Sequence, residues 1–419
     1  MQNMIYFTVM SKHKISKLTI LTIAIIAILS AVRIYSATTI PEFNYDENRR
    51  AETVQEFLDH GSSHRDTFGI GVVPIFVRTD AGFSSLPFLA PATVWGFFFG
   101  TSVTSLRVLI AIIVTLALIL LAHAISLWYK SSRKVFLLAS VIALTLPWLF
   151  LQGILFWDTS LAPVAFIIAF YAFTKLKFST KPKLCHQLLL SLSLIAAVYL
   201  YLPSAIPAFI LFLVAFAYLW RKEILSLKQL AIIFIVSAVA ILPFIIFFLT
   251  FPDGNTRTQE LSIFYDVGIA EGVRRFFMNV ARLTSPLFLF ATGDGSRAHS
   301  IGMMGMLGPF AIIPIIGAIY YHHALTKNEK LLFAIAIFGI AFGIITSALT
   351  HPDAQPHSLR ANAAAPFFII LMALGTQKLL AKHPKLTIPI YVALAVSAIA
   401  YYIAFFYVYL DTGRHWFTS

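Results

Sequence analysis

The feature that most constrains this chain is the recurrence of apolar runs long enough to cross a bilayer. A helical span needs roughly 17 to 25 apolar residues. Eleven such candidates begin near Leu18, Ser105, Val135, Leu161, Gln187, Ile206, Gln229, Met306, Leu331, Pro366 and Leu386. No water-soluble core absorbs that much apolar surface, since 59% of the 419 residues are hydrophobic and 12% are charged. Helices satisfy their own backbone in lipid. The expectation is therefore an all-α integral membrane protein with about 11 transmembrane helices, built as a single domain over residues 1–419.

The lysines orient it. With the N-terminus in the cytoplasm, all sixteen lysines fall on the cytoplasmic side, from Lys12, Lys14 and Lys17 to Lys378, Lys382 and Lys385. Arg133 and Arg221 join them, so eighteen cations face Glu223 and Glu329, while thirteen arginines and sixteen acids lie outside or at the outer interface. The net charge of +13 is thus a topological signal. It is not the clustered basic face of a nucleic-acid binder, and no nucleic-acid partner is expected. The first run is nearer a full span than a signal core, with Arg33 at its end, and is expected to be retained. The single cysteine, Cys185, excludes a disulfide framework and a thiolate metal site.

The stretch from Leu86 to Gly100 contains Pro87 and Pro91, and as a span it would invert everything after it. It reads instead as a short helix in, or re-entering, the outer interface. Two long external loops remain, residues 37–104 and 252–305, with a turn at Asp158 and a loop from His351 to Ala365. The C-terminus is also expected outside.

In the first loop, Ala51, Val54 and Leu58 form one helical stripe that stops near Gly61, an amphipathic surface helix with Asp46 at its start. A carboxylate there serves either as a cap on free backbone amides or as a reactive group; both roles are open. Asp158 is the only acid between Asp80 and Glu223 and lies at the outer end of two spans, as a functional group or as a cap for the next helix. Ile269, Val273, Phe276, Phe277, Val280 and Leu283 line one face of a second interfacial helix that carries Arg274, Arg275 and Arg282. Those arginines hold either lipid headgroups or a reacting phosphate. Arg360, before the span at Pro366, is either a phosphate ligand or a snorkelling residue. His351, Asp353 and His357 have a spacing that fits no established metal site, so no metal and no cofactor are assigned.

The string Asp46-Glu47, the helix to His60, Phe99-Gly100 and Arg107-Val108 resembles the GT-C membrane glycosyltransferases, in particular the protein O-mannosyltransferases and the aminoarabinose transferase of lipid A. The run Leu289-Phe290, Gly293-Asp294, Arg297 and His299 resembles a string in bacterial relatives of the O-mannosyltransferases. The Lys-Pro of the aminoarabinose transferases is replaced by Ser85-Leu86-Pro87. The resemblance implies an inverting enzyme in the plasma membrane with its active site outside. It would move a sugar from a polyprenyl-phosphate donor to a hydroxyl of a protein, lipid or glycan acceptor. It places Asp46, Glu47 and Asp158 in catalysis, and phosphate contacts among Arg257, Arg274, Arg275, Arg297 and Arg360. Arg49, Asp294 and His299 would contact substrate. A rival reading is a transporter or flippase of lipid-linked sugars. The near absence of charge within the spans and of internal repeats opposes it.

Overall fold

The structure is a computed structural model that describes residues 17–41, 45–61, 67–70, 73–79, 82–251, 259–265, 267–351 and 356–411. Among the described residues, eight helical segments are long and apolar enough to span a membrane. They contain α1 (Lys17–Thr39), α4 (Val103–Leu127), α7 (Ala162–Lys177), α9 (Ala205–Arg221), α10 (Leu227–Thr250), α13 (Lys327–Ala348), α14 (Ala365–Lys382) and α15 (Thr387–Ile403). The other three expected runs form shorter helices: α5 (Arg133–Thr145) with α6 (Pro147–Gln152), α8 (Leu184–Leu200), and α12 (Ile312–Tyr320). This is a multi-pass membrane protein. Its lipid-facing character shows in side chains such as Ile235, Val239, Leu249 and Ile388, all left exposed on spanning helices.

The break between α5 and α6 has a local cause. Leu146 is extended, and Pro147 opens the next helix at a position where its missing N–H costs nothing. The Trp148 amide turns away from the α5 ladder to the carbonyl of Met306, 2.8 Å away. Three carbonyls around the break then meet the guanidinium of Arg33, which donates to Leu144 (3.4 Å), Leu149 and Phe150 (3.5 Å). Arg33 is fully buried in α1, so peptide dipoles solvate a charge that would be costly in lipid. Gly153 admits this approach, because a Cβ there would come within 2.9 Å of Arg33 Nη1 and 2.4 Å of the Leu149 carbonyl.

The bundle has two chemically distinct ends. At one, Trp128, Lys177, Asn328, Glu329 and Lys378 meet. At the other lie the ends or starts of α1, α4 and α7 together with the long loops. In the first loop, α2 (Tyr45–His60) ends at Gly61, whose φ of +67° is left-handed. α3 (Leu86–Phe99) is the short apolar helix expected there, and it leaves Phe97, Phe98 and Phe99 exposed.

Between them stands an element the sequence reading did not foresee, a small antiparallel sheet of β1 (Thr67–Ile70), β2 (Val73–Thr79) and β3 (Gly82–Ser85). Phe76 stacks on Phe247 of α10 at 4.2 Å and on Tyr199 of α8 at 5.3 Å, which ties the sheet to the spans.

In the second loop, α11 (Ile269–Leu283) buries Gly272, Asn279 and Leu283 and exposes Ile269 and Phe277. Asn279 anchors it by donating to the carbonyls of Ala348 (3.0 Å) and Thr350 (2.9 Å).

Candidate active site at the acid end of the bundle

The site is built outward from a buried pair. Glu47 lies in the first turn of α2 with no exposed surface and forms a two-pronged ion pair with Arg107 of α4, whose Nε donates to Oε1 at 2.9 Å and Nη2 to Oε2. Arg107 also donates to the carbonyls of Ile40 (2.7 Å) and Pro41 (3.2 Å), just past the end of α1. Glu47 accepts the Phe156 amide at 2.6 Å. One carboxylate therefore ties α2, α4, the exit of α1 and the loop before Asp158 into one block.

Asp46, its neighbour, stays half-buried on the second residue of α2. Arg50, one turn on, joins it to the second loop. Its Nη1 donates to the Asp46 carbonyl at 3.0 Å and its Nη2 to Asp158 Oδ1 at 3.3 Å. Asp158 is buried and opens a 3-10 turn, Asp158–Ser160. The cap position of α7 is Leu161, with no side-chain cap, so Asp158 does not cap that span. Its Oδ1 also accepts the Thr159 amide at 3.1 Å.

A third group comes from the two later loops. Asp294 is buried, and its Oδ2 accepts from the Ser358 amide (2.7 Å), Ser358 Oγ (2.8 Å) and His299 Nδ1 (3.2 Å). Its Oδ1 accepts the Ser296 amide at 2.9 Å. Burial opposes ionisation of Asp294, but the contacts with His299, Ser358 and Ser296 outweigh it and hold the carboxyl below its ordinary value.

His299 and His357 lie ring to ring at 4.6 Å, and His299 meets the edge of Trp157 at 5.9 Å. Burial first, then the nearby His299 and Arg360, push His357 well below the ordinary imidazole range, so it is neutral. Trp148 Nε1 and Gln152 Nε2 brace Ser358 from α6, at 3.2 and 2.8 Å. Asn362 donates to the Thr159 carbonyl at 2.6 Å. An apolar floor of Ala37, Ile40, Ala111, Trp157, Ile301, Leu359 and Tyr409 underlies the whole assembly.

The structure thus gathers Asp46, Glu47 and Asp158, and pairs Asp294 with His299, whose ring lies against Trp157. His357 joins this second group and not His351, which bonds through its amide to Leu261. Arg297 is half-buried, donates to the Ile301 carbonyl, and packs on Gly302. Arg360 is half-buried in the turn that carries His357. Arg49 faces out and pairs with Glu52 at 3.0 Å. Arg274 and Arg275 both turn to Glu271 of their own helix, at 2.7 and 3.1 Å, and hold its carboxyl down at about 2. Arg257 and Asp353 lie outside the described residues.

The sequence reading missed Arg50, Trp157, Ser358 and Gln152. Only two of these carried a signal: Arg50 follows Asp46 by one helical turn, and Gln152 is a lone amide in an apolar run.

Among solved structures, the chain aligns with ArnT from Cupriavidus metallidurans bound to undecaprenyl phosphate, with a TM-score of 0.58 over 90% of this chain at 13% identity. The chain shares the fold of that ArnT structure. The apo-state ArnT structure aligns with a TM-score of 0.43 at 12% identity, covering 88% of this chain and 79% of that one. This chain spans 63% of the ArnT chain in the lipid-bound structure. No protein-family profile matches the sequence, and no curated protein does.

Proposed function

We propose that the acid end is the active site of an inverting glycosyltransferase that uses a polyprenyl-phosphate sugar. The observation that carries this reading is the Arg50 bridge between the Asp46 backbone and Asp158, set on the Glu47–Arg107 block. It holds the backbone of Asp46, half-buried at the start of α2, next to the buried Asp158. The GT-C fold, shared with an ArnT whose solved structure holds undecaprenyl phosphate, supports a lipid-linked donor.

In this mechanism Asp46 accepts the proton of an acceptor hydroxyl as that oxygen attacks the anomeric carbon from the face opposite the phosphate. The new C–O bond forms with inversion as the old one breaks, and the electron pair leaves with the polyprenyl phosphate. Arginines drawn from Arg257, Arg274, Arg275, Arg297 and Arg360 stabilise the leaving phosphate, as paired guanidinium donors do. Asp158 and Arg50 hold the base, and Asp294, His299 and Arg49 contact substrate. The acid end faces the extracytoplasmic side and the lysine end the cytoplasm, as the positive-inside rule requires.

The test is consumption of a panel of polyprenyl-phosphate sugars by purified protein in nanodiscs, with envelope extracts as acceptors. Release of polyprenyl phosphate supports transfer. If no donor is consumed while labelled lipid-linked sugar crosses liposomes that contain the protein, the transporter reading replaces it.

A further inference from the structure

Three side chains at the acid end, two of them read above as substrate contacts, share a chemistry that substrate contact alone does not call for. Asp294, His299 and His357 each offer a ligand atom, and these atoms all lie within 4.8 Å of one another. Two come from one loop and the third arrives from a loop 58 residues further along the chain, counted from His299 to His357. We propose that these three residues form a divalent-cation site of the zinc class, with two imidazole nitrogens, one carboxylate oxygen and a fourth position left to an exogenous oxygen.

The geometry is close to ready. Zinc takes nitrogen and oxygen ligands at about 2.0–2.1 Å in a tetrahedron, which puts neighbouring ligand atoms about 3.3 Å apart. His299 Nδ1 and Asp294 Oδ2 already stand 3.2 Å apart. His357 closes the set by a side-chain rotation, since its ring lies 4.6 Å from that of His299. Where Nδ1 is the ligand atom, the proton it shares with Asp294 moves to Nε2 of the same ring, so the imidazole stays neutral.

The supporting contacts match those that orient metal ligands elsewhere. A ligating carboxylate is usually held by further hydrogen bonds. Asp294 receives three of these, from the Ser296 amide and from the amide and hydroxyl of Ser358. Ser358 is itself fixed by Trp148 and Gln152 of α6. The donor set of two imidazoles and a carboxylate, with no thiolate, suits a borderline cation better than a hard one such as calcium. Three protein ligands are the pattern of zinc sites that keep a position for water or a substrate oxygen. A cation here would pin the loop at 292–308 to the turn at 356–361 and present a Lewis-acidic position next to Trp157. A phosphate oxygen is the class of ligand that position suits.

The site does not depend on the transfer reading, because it is tested without substrate. Tag-free full-length protein in nanodiscs is stripped with chelator and titrated with Zn2+ by calorimetry, in parallel with His357→Gln, His299→Gln and the control His351→Gln. The expected result is one Zn2+ per chain, with affinity lowered by at least about 10-fold in the two ligand variants and unchanged in the control. A second measurement needs no variant: Co2+ bound in place of Zn2+ gives the intense visible absorption of a four-coordinate ion. No stoichiometric Zn2+ binding, binding that survives both ligand variants, or a six-coordinate Co2+ spectrum overturns the proposal. If a variant does not fold, the Co2+ spectrum of the native chain decides.

Discussion

The two ends of the bundle handle buried charge in different ways. At the lysine end the solution around Glu329 starts locally: Thr326 caps α13 and Glu329 reaches back to the Thr326 amide at 2.8 Å, before Lys378 joins it from α14 at 2.7 Å. At the acid end the pairs that join separate segments are distant in sequence. Glu47 pairs with Arg107, Arg50 with Asp158, Asp294 with Ser358 and Asn362 with Thr159. A capping box holds one helix in place. Long-range pairs fix several loops relative to one another, which is what a site assembled from four loops requires.

Perturbing the acid-end block should have the largest effect. Glu47→Gln or Arg107→Met leaves a charge buried without its counter-ion, which costs about 3–5 kcal/mol. Thermal unfolding in detergent should show that loss for each single variant, and clearly less than the sum for the pair, since the two act as one unit. Additive losses would mean the pair is not coupled.

Next comes Arg50→Met, which frees Asp158 and the Asp46 turn without touching the block. Turnover should fall about 10²-fold through lost positioning, with a much smaller change in melting temperature than for Glu47→Gln. Thr326→Ala, at the other end, removes one cap. It should cost about 1 kcal/mol in an unfolding experiment and leave donor turnover unchanged. A matching loss of turnover there would erase the distinction between the ends. The smallest effect belongs to Arg274→Gln on α11, whose ion pair with Glu271 is open to solvent and screened. Its melting temperature should not move measurably.

The same contrast explains what the sequence could reveal. Elements set by local pattern were legible: the stripe of α2 with its stop at Gly61, the apolar face of α11 from Ile269 to Leu283, and the short helix after Ser85. Among the described residues every lysine lies in a short loop or near a helix end. The run from Val135 was read through Pro147, where the helix breaks, since the carbonyls it frees are satisfied by Arg33 from a span more than a hundred residues earlier. The β1–β3 sheet was hidden because its strands are short, and it depends on aromatic contacts with α8 and α10.

In the site, Asp158 stood out as a lone acid beside apolar spans, Asp46 as an acid at a helix start, and Glu47 through the resemblance to the GT-C enzymes. Their division of labour did not. That Glu47 is sealed by Arg107 and that Asp158 is held by Arg50 are facts of packing between distant segments. Likewise the sequence set His357 beside His351 and Asp353, while the fold sets it beside Asp294 and His299.

The measurement that bears most directly on the central claim is donor turnover by Asp46→Asn against the native chain in nanodiscs, with donor binding and melting temperature followed in the same samples. The account predicts that turnover falls about 10²–10⁴-fold, the usual contribution of a positioned general base, while binding and melting are retained. Native-like turnover by Asp46→Asn would contradict it.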